Sequence, residues 1–409
     1  MSDQVRADAV DPGRPSRRAV LGFGAALGGG AGLCALAGCS SSDTTSTGAT
    51  GSAATPAPAA APAIAAEPFY GPHQSGIATT PQTNLVLVGL DLLPGAGRDE
   101  LRRLLRLWTH DAARLTQGQP TLQDTAPDLS GPPARLTVTV GLGPQAVAAA
   151  RPTEAPPAWL APLPAFSVDR PDPAYTGGDV LLQVCGDDPI TLAHAVRSLL
   201  LDAVGLARQR WVQRGFRRPA GSTASMRTLM GQIDGTVNPK PATPEFDDLV
   251  WVGDEGPSWL RGGTGFVVRR IRMNLAAWDL LDPPAKEEVI GRRLSSGAPL
   301  TGTRETDPAD LGATSATGLS VIPDFAHIRH AAADLPRERF LRRPYNYDEG
   351  ATGAPSEDSG LVFITFQRDI TEQFVPVQRR LAAKDLLNMW TTPVGSAVFA
   401  ILPGAADGE

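Results

Sequence analysis

The sequence predicts an α+β protein of two ferredoxin-like halves, residues 67–217 and 218–404, with their antiparallel sheets packed together. Three observations lead there. Short apolar, β-branched runs alternate with longer runs whose apolar residues recur at helical spacing. In the first half they follow the order strand, helix, strand, strand, helix, strand, which is the split βαβ arrangement. A comparable order recurs in the second half, although the halves share little sequence.

Residues 1–38 read as an export signal. Arg17 and Arg18 stand before a glycine-interrupted apolar run from Ala19 to Gly38. That is the pattern of a Tat signal, a route that carries folded proteins across the membrane. Leu36-Ala37-Gly38-Cys39 has the form of a lipobox, which makes Cys39 the expected point of lipid attachment. Residues 39–66 are almost all Ser, Thr, Ala, Gly and Pro, with Asp43 the only charge, and read as a disordered linker. With the signal removed, Cys39 and Cys185 are the cysteines left, and Cys185 lies in an apolar run where a buried strand is expected.

Folded sequence begins near residue 67. Residues 83–92 form a short apolar strand. In 98–115, Leu101, Leu104, Leu105, Leu107, Trp108 and Ala112 are expected on one face between arginines, which makes a helix. Strands follow at 135–142 and 179–185, an amphipathic helix at 189–206, and a closing strand at 211–218. The second half has a strand at 263–274, a helix at 284–293, a strand at 361–368, a helix at 374–388 and a short last strand at 398–402. Residues 405–409 are a tail. The 42% hydrophobic content over 409 residues suffices for a large core. A net charge of −6 leaves no basic stripe to neutralise phosphates, which excludes a nucleic-acid partner.

Three stretches carry candidate chemistry. Around Asp234, Gly231 and Gly235 permit backbone conformations closed to other residues, and Asn238-Pro239 ends the segment as a turn. A hundred residues on come Phe325-Ala326-His327-Ile328-Arg329-His330 and then Leu341-Arg342-Arg343-Pro344-Tyr345-Asn346-Tyr347. Of five histidines, His110 and His194 fall in helices, His73 sits in an N-terminal motif suited to a structural role, and His330 rivals His327 only if that segment is helical.

Taken together, the GxxDG motif at 231–235, His327-Ile328-Arg329, Arg342-Arg343, the stretch 69–79, Gly262-Gly263 with 267–273, the run 290–300 and the tail 374–404 resemble the dye-decolourising peroxidase family. Within it they are most similar to the Tat-exported deferrochelatase/peroxidase subgroup, over residues 67–404. The resemblance implies a dimeric α/β-barrel type of fold with one haem b per subunit in the C-terminal half. It implies His327 as the proximal axial ligand of the iron, with Asp385 on the C-terminal helix accepting from its other ring nitrogen. Asp234 and Arg342 become the catalytic pair on the peroxide side, where a carboxylate serves as base and a fixed cation stabilises charge. Gly235, Thr236 and Val237, with Arg342, are implied to border the haem. Leu361 and Phe363 could wall the pocket, Arg343 is expected to face a propionate or solvent, and Tyr345, Tyr347 and Trp390 to be surface oxidation sites.

The implied activity is reduction of hydrogen peroxide through a high-valent iron-oxo intermediate, with bulky aromatic or phenolic donors as reductants. The alternatives are iron release from haem with the tetrapyrrole intact, in partnership with an iron-uptake system, and an extracytoplasmic haem carrier. Homodimers or larger assemblies are common in the family. The sequence departs from the family pattern at 330–333 (His-Ala-Ala-Ala), in a shortened stretch before Arg342, and at Pro344.

If the export reading holds, replacing Arg17 and Arg18 by lysines traps precursor in the cytoplasm, and fatty-acid labelling marks the wild type but not Cys39→Ser. Labelling that persists without Cys39 would remove the lipobox.

Overall fold

The computed structural model describes residues 65–220, 222–350 and 358–407. The export signal, Cys39, the linker up to residue 64 and the last two residues of the tail lie outside them. The first half contains β1 (Asn84–Leu92), α1 (Arg98–Leu115), β2 (Thr137–Leu142), α2 (Pro144–Ala150), β3 (Val180–Gly186), α3 (Pro189–Asp202) and β4 (Ala207–Phe216). A connecting region holds β5 (Pro219–Ala220), β6 (Ser222–Arg227), β7 (Ile233–Asp234) and α4 (Pro244–Val250). The second half adds β8 (Thr264–Met273), α5 (Leu275–Trp278), α6 (Pro283–Ile290) and α7 (His327–Ala331). Then come β9 (Leu341–Arg342), β10 (Tyr345–Asp348), β11 (Ser359–Gln367), α8 (Phe374–Lys384) and β12 (Thr391–Ile401).

The strands close on themselves. Their order is β4-β1-β3-β2-β12-β8-β11, and β10 bonds both β11 and β4. Each half has the ferredoxin-like order, and the two sheets pack by joining at both edges into an eight-stranded antiparallel barrel. One seam pairs Leu142 with Ala400 and Gly141 with Ile401; the other pairs Phe216 with Asn346. Glycine makes each seam possible. A Cβ on Gly141 would lie 2.7 Å from Ile401 Cδ1, and one on Gly215 would lie 2.8 Å from Tyr345 Cβ.

The central strands are apolar on both faces because both are covered, whereas β4 leaves Arg208, Arg210 and Arg214 exposed. Leu85, Leu87, Leu181, Phe266, Val268, Ile364, Phe366 and Phe399 form one buried cluster, and Cys185 lies within it. Alternate residues such as Val86, Val88, Val138 and Val184 pack instead with Leu104 and Trp108 of α1 and Leu199 of α3. Trp108 Nε1 donates to Leu199 O at 2.7 Å, so the helix pair is locked by a buried polar contact as well as by area. The motif at 69–79 straps the first seam. Gln74 accepts from Val140 N at 2.8 Å and donates to Val140 O and Leu402 O at 2.9 and 3.0 Å.

Several sequence expectations differ from the structure. Strand β4 begins at Ala207 rather than 211 and ends at Phe216, α6 stops at Ile290 rather than 293, and Leu107 of α1 is exposed rather than on the buried face. Helix α3 stops at Asp202 rather than 206. Strand β10 was not anticipated, because Tyr-Asn-Tyr-Asp lacks an apolar run; its tyrosines are buried by tertiary packing. Tyr345 and Tyr347 are 0% and 1% exposed, so neither is a surface oxidation site. Arg270 lies 4.1 Å from the Tyr347 ring and 4.2 Å from Tyr175, with Asp358 holding it at 2.9 and 2.8 Å. The last strand is eleven residues long, not five. The last helix ends at Lys384, since the Asp385 carboxylate accepts from Leu387 N at 2.9 Å and caps a new 3-10 turn, Leu386–Met389.

Asp202 ends α3, where the helix dipole disfavours negative charge. Burial first, and then the neighbouring Asp111 carboxylate, push its carboxyl up to about 7. In the unfolded chain it ionises near ~3.9, so folding retains a proton that rising pH removes. The resulting cost grows from acid towards neutrality and is complete above the folded value. Asp202→Asn should therefore raise the melting temperature over wild type near about pH 8, with the gain vanishing towards about pH 4. An equal gain at both pH values would rule out this titration.

Candidate active site

Asp234 closes β7, where it pairs with Met226 of β6. Gly231 and Gly235 on either side have φ of 94° and 103°, in the left-handed region that other residues rarely enter. Arg227 fastens the turn between them, donating to Gly231 O at 2.5 Å and to Leu294 O at 2.7 Å. Asp234 Oδ1 accepts from Gly235 N at 2.6 Å and lies 3.1 Å from Arg342 Nη2. Both side chains are 20% exposed. Arg342 belongs to β9, paired with Thr365 of β11, so it shares a sheet face with Thr365 and hence with Leu361 and Phe363.

Around this ion pair stand further polar groups, of which Glu305 was not singled out by the sequence motifs. Thr236 Oγ1 donates to Glu305 Oε1 at 2.9 Å. Arg292 donates to Gly297 O at 2.6 Å and Glu305 O at 3.0 Å. Burial, followed by the charge of Arg342, lowers the Arg292 pKa, while Glu305 and Asp234 act the other way. Asn238 hydrogen-bonds the main chain of Arg342. The only sequence signal for Asn238 was its place before Pro239, which reads as a turn. Val237 is 57% exposed.

His327 opens the short helix α7. Its Nδ1 is 2.6 Å from Asp385 Oδ2, and Leu386 N donates to Phe325 O at 3.1 Å, which ties the break after α8 to the start of α7. Burial opposes the charged imidazole, yet Asp385, through charge and hydrogen bond, outweighs it and raises the pKa. The ring also senses Asp234 and Arg342, and 34% of its side chain is accessible. It therefore lies within electrostatic reach of the ion pair. Among the described residues, Nε2 has no hydrogen-bond partner.

The other histidines are engaged elsewhere. His330 is buried with Nε2 2.7 Å from Asp324 O. His73 stacks on Trp251 at 3.8 Å and contacts Gly262 O at 2.7 Å. His194 bridges Asp124 and Arg197 at 2.8 and 2.9 Å, and His110 contacts Asp111 at 2.9 Å. Arg343, expected at a propionate or in solvent, is 1% exposed and donates to Thr79 O and Gln82 Oε1. Strand alternation explains it, since Arg342 and Arg343 must point to opposite faces.

The donor set fits a haem. A haem iron takes its ring nitrogens from the porphyrin and needs one imidazole from the protein, with that imidazole oriented by a carboxylate. His327 with Asp385 has this form. No group of three or more His, Cys, Asp or Glu among the described residues is arranged to hold a bare metal ion. Arg342 Nε is a buried donor with no partner among them.

Known proteins agree. The Dyp-type peroxidase N-terminal model matches residues 74–217 and the Dyp-type peroxidase C-terminal model matches 225–406. A dye-decolorizing peroxidase of Thermobifida fusca (strain YX) is 41% identical over 352 residues, 82% of each chain. A deferrochelatase of Yersinia pestis bv. Antiqua (strain Nepal516) is 35% identical over 361 residues, 83% of this chain and 82% of that one. The crystal structure of a DyP-type peroxidase from Cellulomonas bogoriensis superposes with a TM-score of 0.81 at 54% identity, covering 86% of this chain and 98% of that one. Fold and site together define a haem-dependent peroxidase. The chain belongs to the Dyp-type peroxidase family.

Haem titration into apoprotein checks the ligand. His327→Ala should lose the Soret band of the wild type, and His330→Ala should keep it. Asp385→Asn should weaken haem binding about 10–100-fold, the usual cost of losing a carboxylate behind a ligating histidine. A native spectrum from His327→Ala would refute the assignment.

Proposed function

We propose that hydrogen peroxide is reduced beside Asp234 and Arg342, at a haem whose iron His327 would hold, with Asp385 fixing the imidazole. The electrons come from bulky aromatic or phenolic donors. The observation that carries this reading is the 3.1 Å contact of Asp234 Oδ1 with Arg342 Nη2, within electrostatic reach of His327. Bound haem supplies the redox-active iron. Peroxide gives two waters for two electrons and two protons, so one oxygen must lose its proton while the other gains it. The Asp234 carboxylate is placed to take and return that proton. Arg342 keeps a fixed positive charge where negative charge develops as the O–O bond breaks. Gly235, Thr236 and Val237 would border the bound haem, and Leu361 and Phe363, on the sheet face of Arg342, would limit water there.

The similarity to a deferrochelatase supports a second reading, release of iron from haem with the tetrapyrrole intact, in the service of an iron-uptake system. It would appear as metal-free porphyrin formed without peroxide. A carrier needs His327 but gives no work to Asp234 and Arg342. The Tat-type signal and Cys39 support an extracytoplasmic, lipid-anchored location.

Stopped-flow mixing with peroxide, across about pH 3 to 8, separates the two distal groups. Arg342→Leu should slow the spectral change of the haem by roughly 10²–10³ at every pH, the usual loss on removing one preorganised donor. Asp234→Asn should slow it by roughly 10²–10⁴ and delete the carboxylate's part of the pH profile. Wild-type rates in both variants would sink the distal assignment.

A further inference from the structure

We propose that Asn238 is a positioning residue that sets where Arg342 stands against Asp234, its carboxamide doing for β9 what a neighbouring strand would do. The inference rests on the peroxidase reading of that pair. Strand β9 has two residues and pairs with β11 along one edge only. On the other edge, Asn238 Nδ2 donates to Arg342 O at 2.7 Å, and Arg342 N donates to Asn238 Oδ1 at 3.1 Å. One primary amide thus occupies both main-chain groups of a residue 104 positions away, the two-bond pattern of a strand ladder.

The clamp closes a circuit. Asn238 N donates to Gly235 O at 3.1 Å, and Gly235 N donates to Asp234 Oδ1 at 2.6 Å. Asp234 Oδ1 meets Arg342 Nη2, and the Arg342 main chain returns to Asn238. Arg342 therefore reaches Asp234 from a backbone tied to the turn that carries this partner. Its own side chain is lightly held, since Nε is buried without a partner among the described residues. Thr236, bonded to Glu305, anchors the middle of the same turn. Only an amide of this length fits: aspartate has no donor when ionised, serine has one polar atom, and glutamine is a methylene longer. The charged groups around Asn238 are Asp234, Arg342 and, through Val237 O, Arg339 with its partner Glu245.

The test is a double-variant cycle on the haem-loaded full chain. Asn238→Ala should keep the Soret band and slow the reaction with peroxide by about 10–10²-fold, the range expected from displacing a catalytic group by about 1 Å. The double variant Asn238→Ala/Arg342→Leu should be no slower than Arg342→Leu alone, because the clamp has nothing left to position. Hydrogen exchange at the Arg342 amide should quicken in Asn238→Ala. A slowing that adds in full to that of Arg342→Leu, or an unchanged amide exchange, overturns the clamp.

Asn238→Asp is the sharper variant, and it serves if alanine misfolds. Its protonated carboxyl can donate to Arg342 O and accept from Arg342 N, but the ionised form cannot donate. Its rate relative to wild type should recover in acid and fall as the carboxyl ionises, a profile that a merely structural role does not produce. A flat relative profile overturns the proposal. If Arg342→Leu is slow and Asn238→Ala is not, the clamp alone fails; if Arg342→Leu matches wild type, the distal reading fails and takes the clamp with it.

Discussion

An antiparallel sheet with an open edge leaves a row of N–H and C=O groups without partners, and this fold is organised around closing that row. Each half alone would have two free edges. Joining β2 to β12 and β4 to β10 removes them. The joins are short, so the chain reinforces them with side chains. Gln74 binds across one seam, and the Asn346 carboxamide contacts Leu229 N and Arg227 O at 3.1 and 3.0 Å beside the other. Asn238 extends the same device to β9. Amide side chains finish what the strands are too short to do.

Closing the barrel also decides where charge can sit. Its interior is apolar, so charged groups there must be tied down. Arg343 lies between the Thr79 carbonyl and Gln82, and Arg270 between two tyrosines and a carboxylate. A guanidinium held this way costs less than a bare buried charge and fixes the geometry of its neighbours. The alternation that sends Arg343 inward sends Arg342 to the opposite face. One adjacent pair of arginines therefore supplies a structural tie on one face and the partner of Asp234 on the other.

The candidate site is made of two pairs of different origin. Asp234 and Arg342 stand on strand ends and a turn fastened by hydrogen bonds, so their separation is a property of the sheet. His327 and Asp385 stand on a helix start and a helix break that bind each other through Leu386 N and Phe325 O. Each pair sets one carboxylate against one base or cation. Placement on rigid elements is what holds such pairs to a fixed geometry.

Much was legible in the sequence because it depends on local pattern. The helix at 98–115 follows from apolar spacing, and the strands at 83–92 and 361–368 from short runs rich in apolar and β-branched residues. Asp234, His327, Arg342 and Asp385 could be named because their motifs stand together, and the chain's family membership follows from the same residues. What needed the tertiary structure was everything set by a distant neighbour. β10 is a strand because β4 and β11 flank it, Tyr347 is buried because Arg270 lies against it, and the last helix breaks because Asp385 turns to cap Leu387 and meet His327. Asn238 looked like part of a turn, since nothing local shows that an amide will meet the main chain of a residue 104 positions away. Propensity and periodicity act over a few residues, whereas hydrogen-bond partners across a closed barrel are assigned by the closure itself.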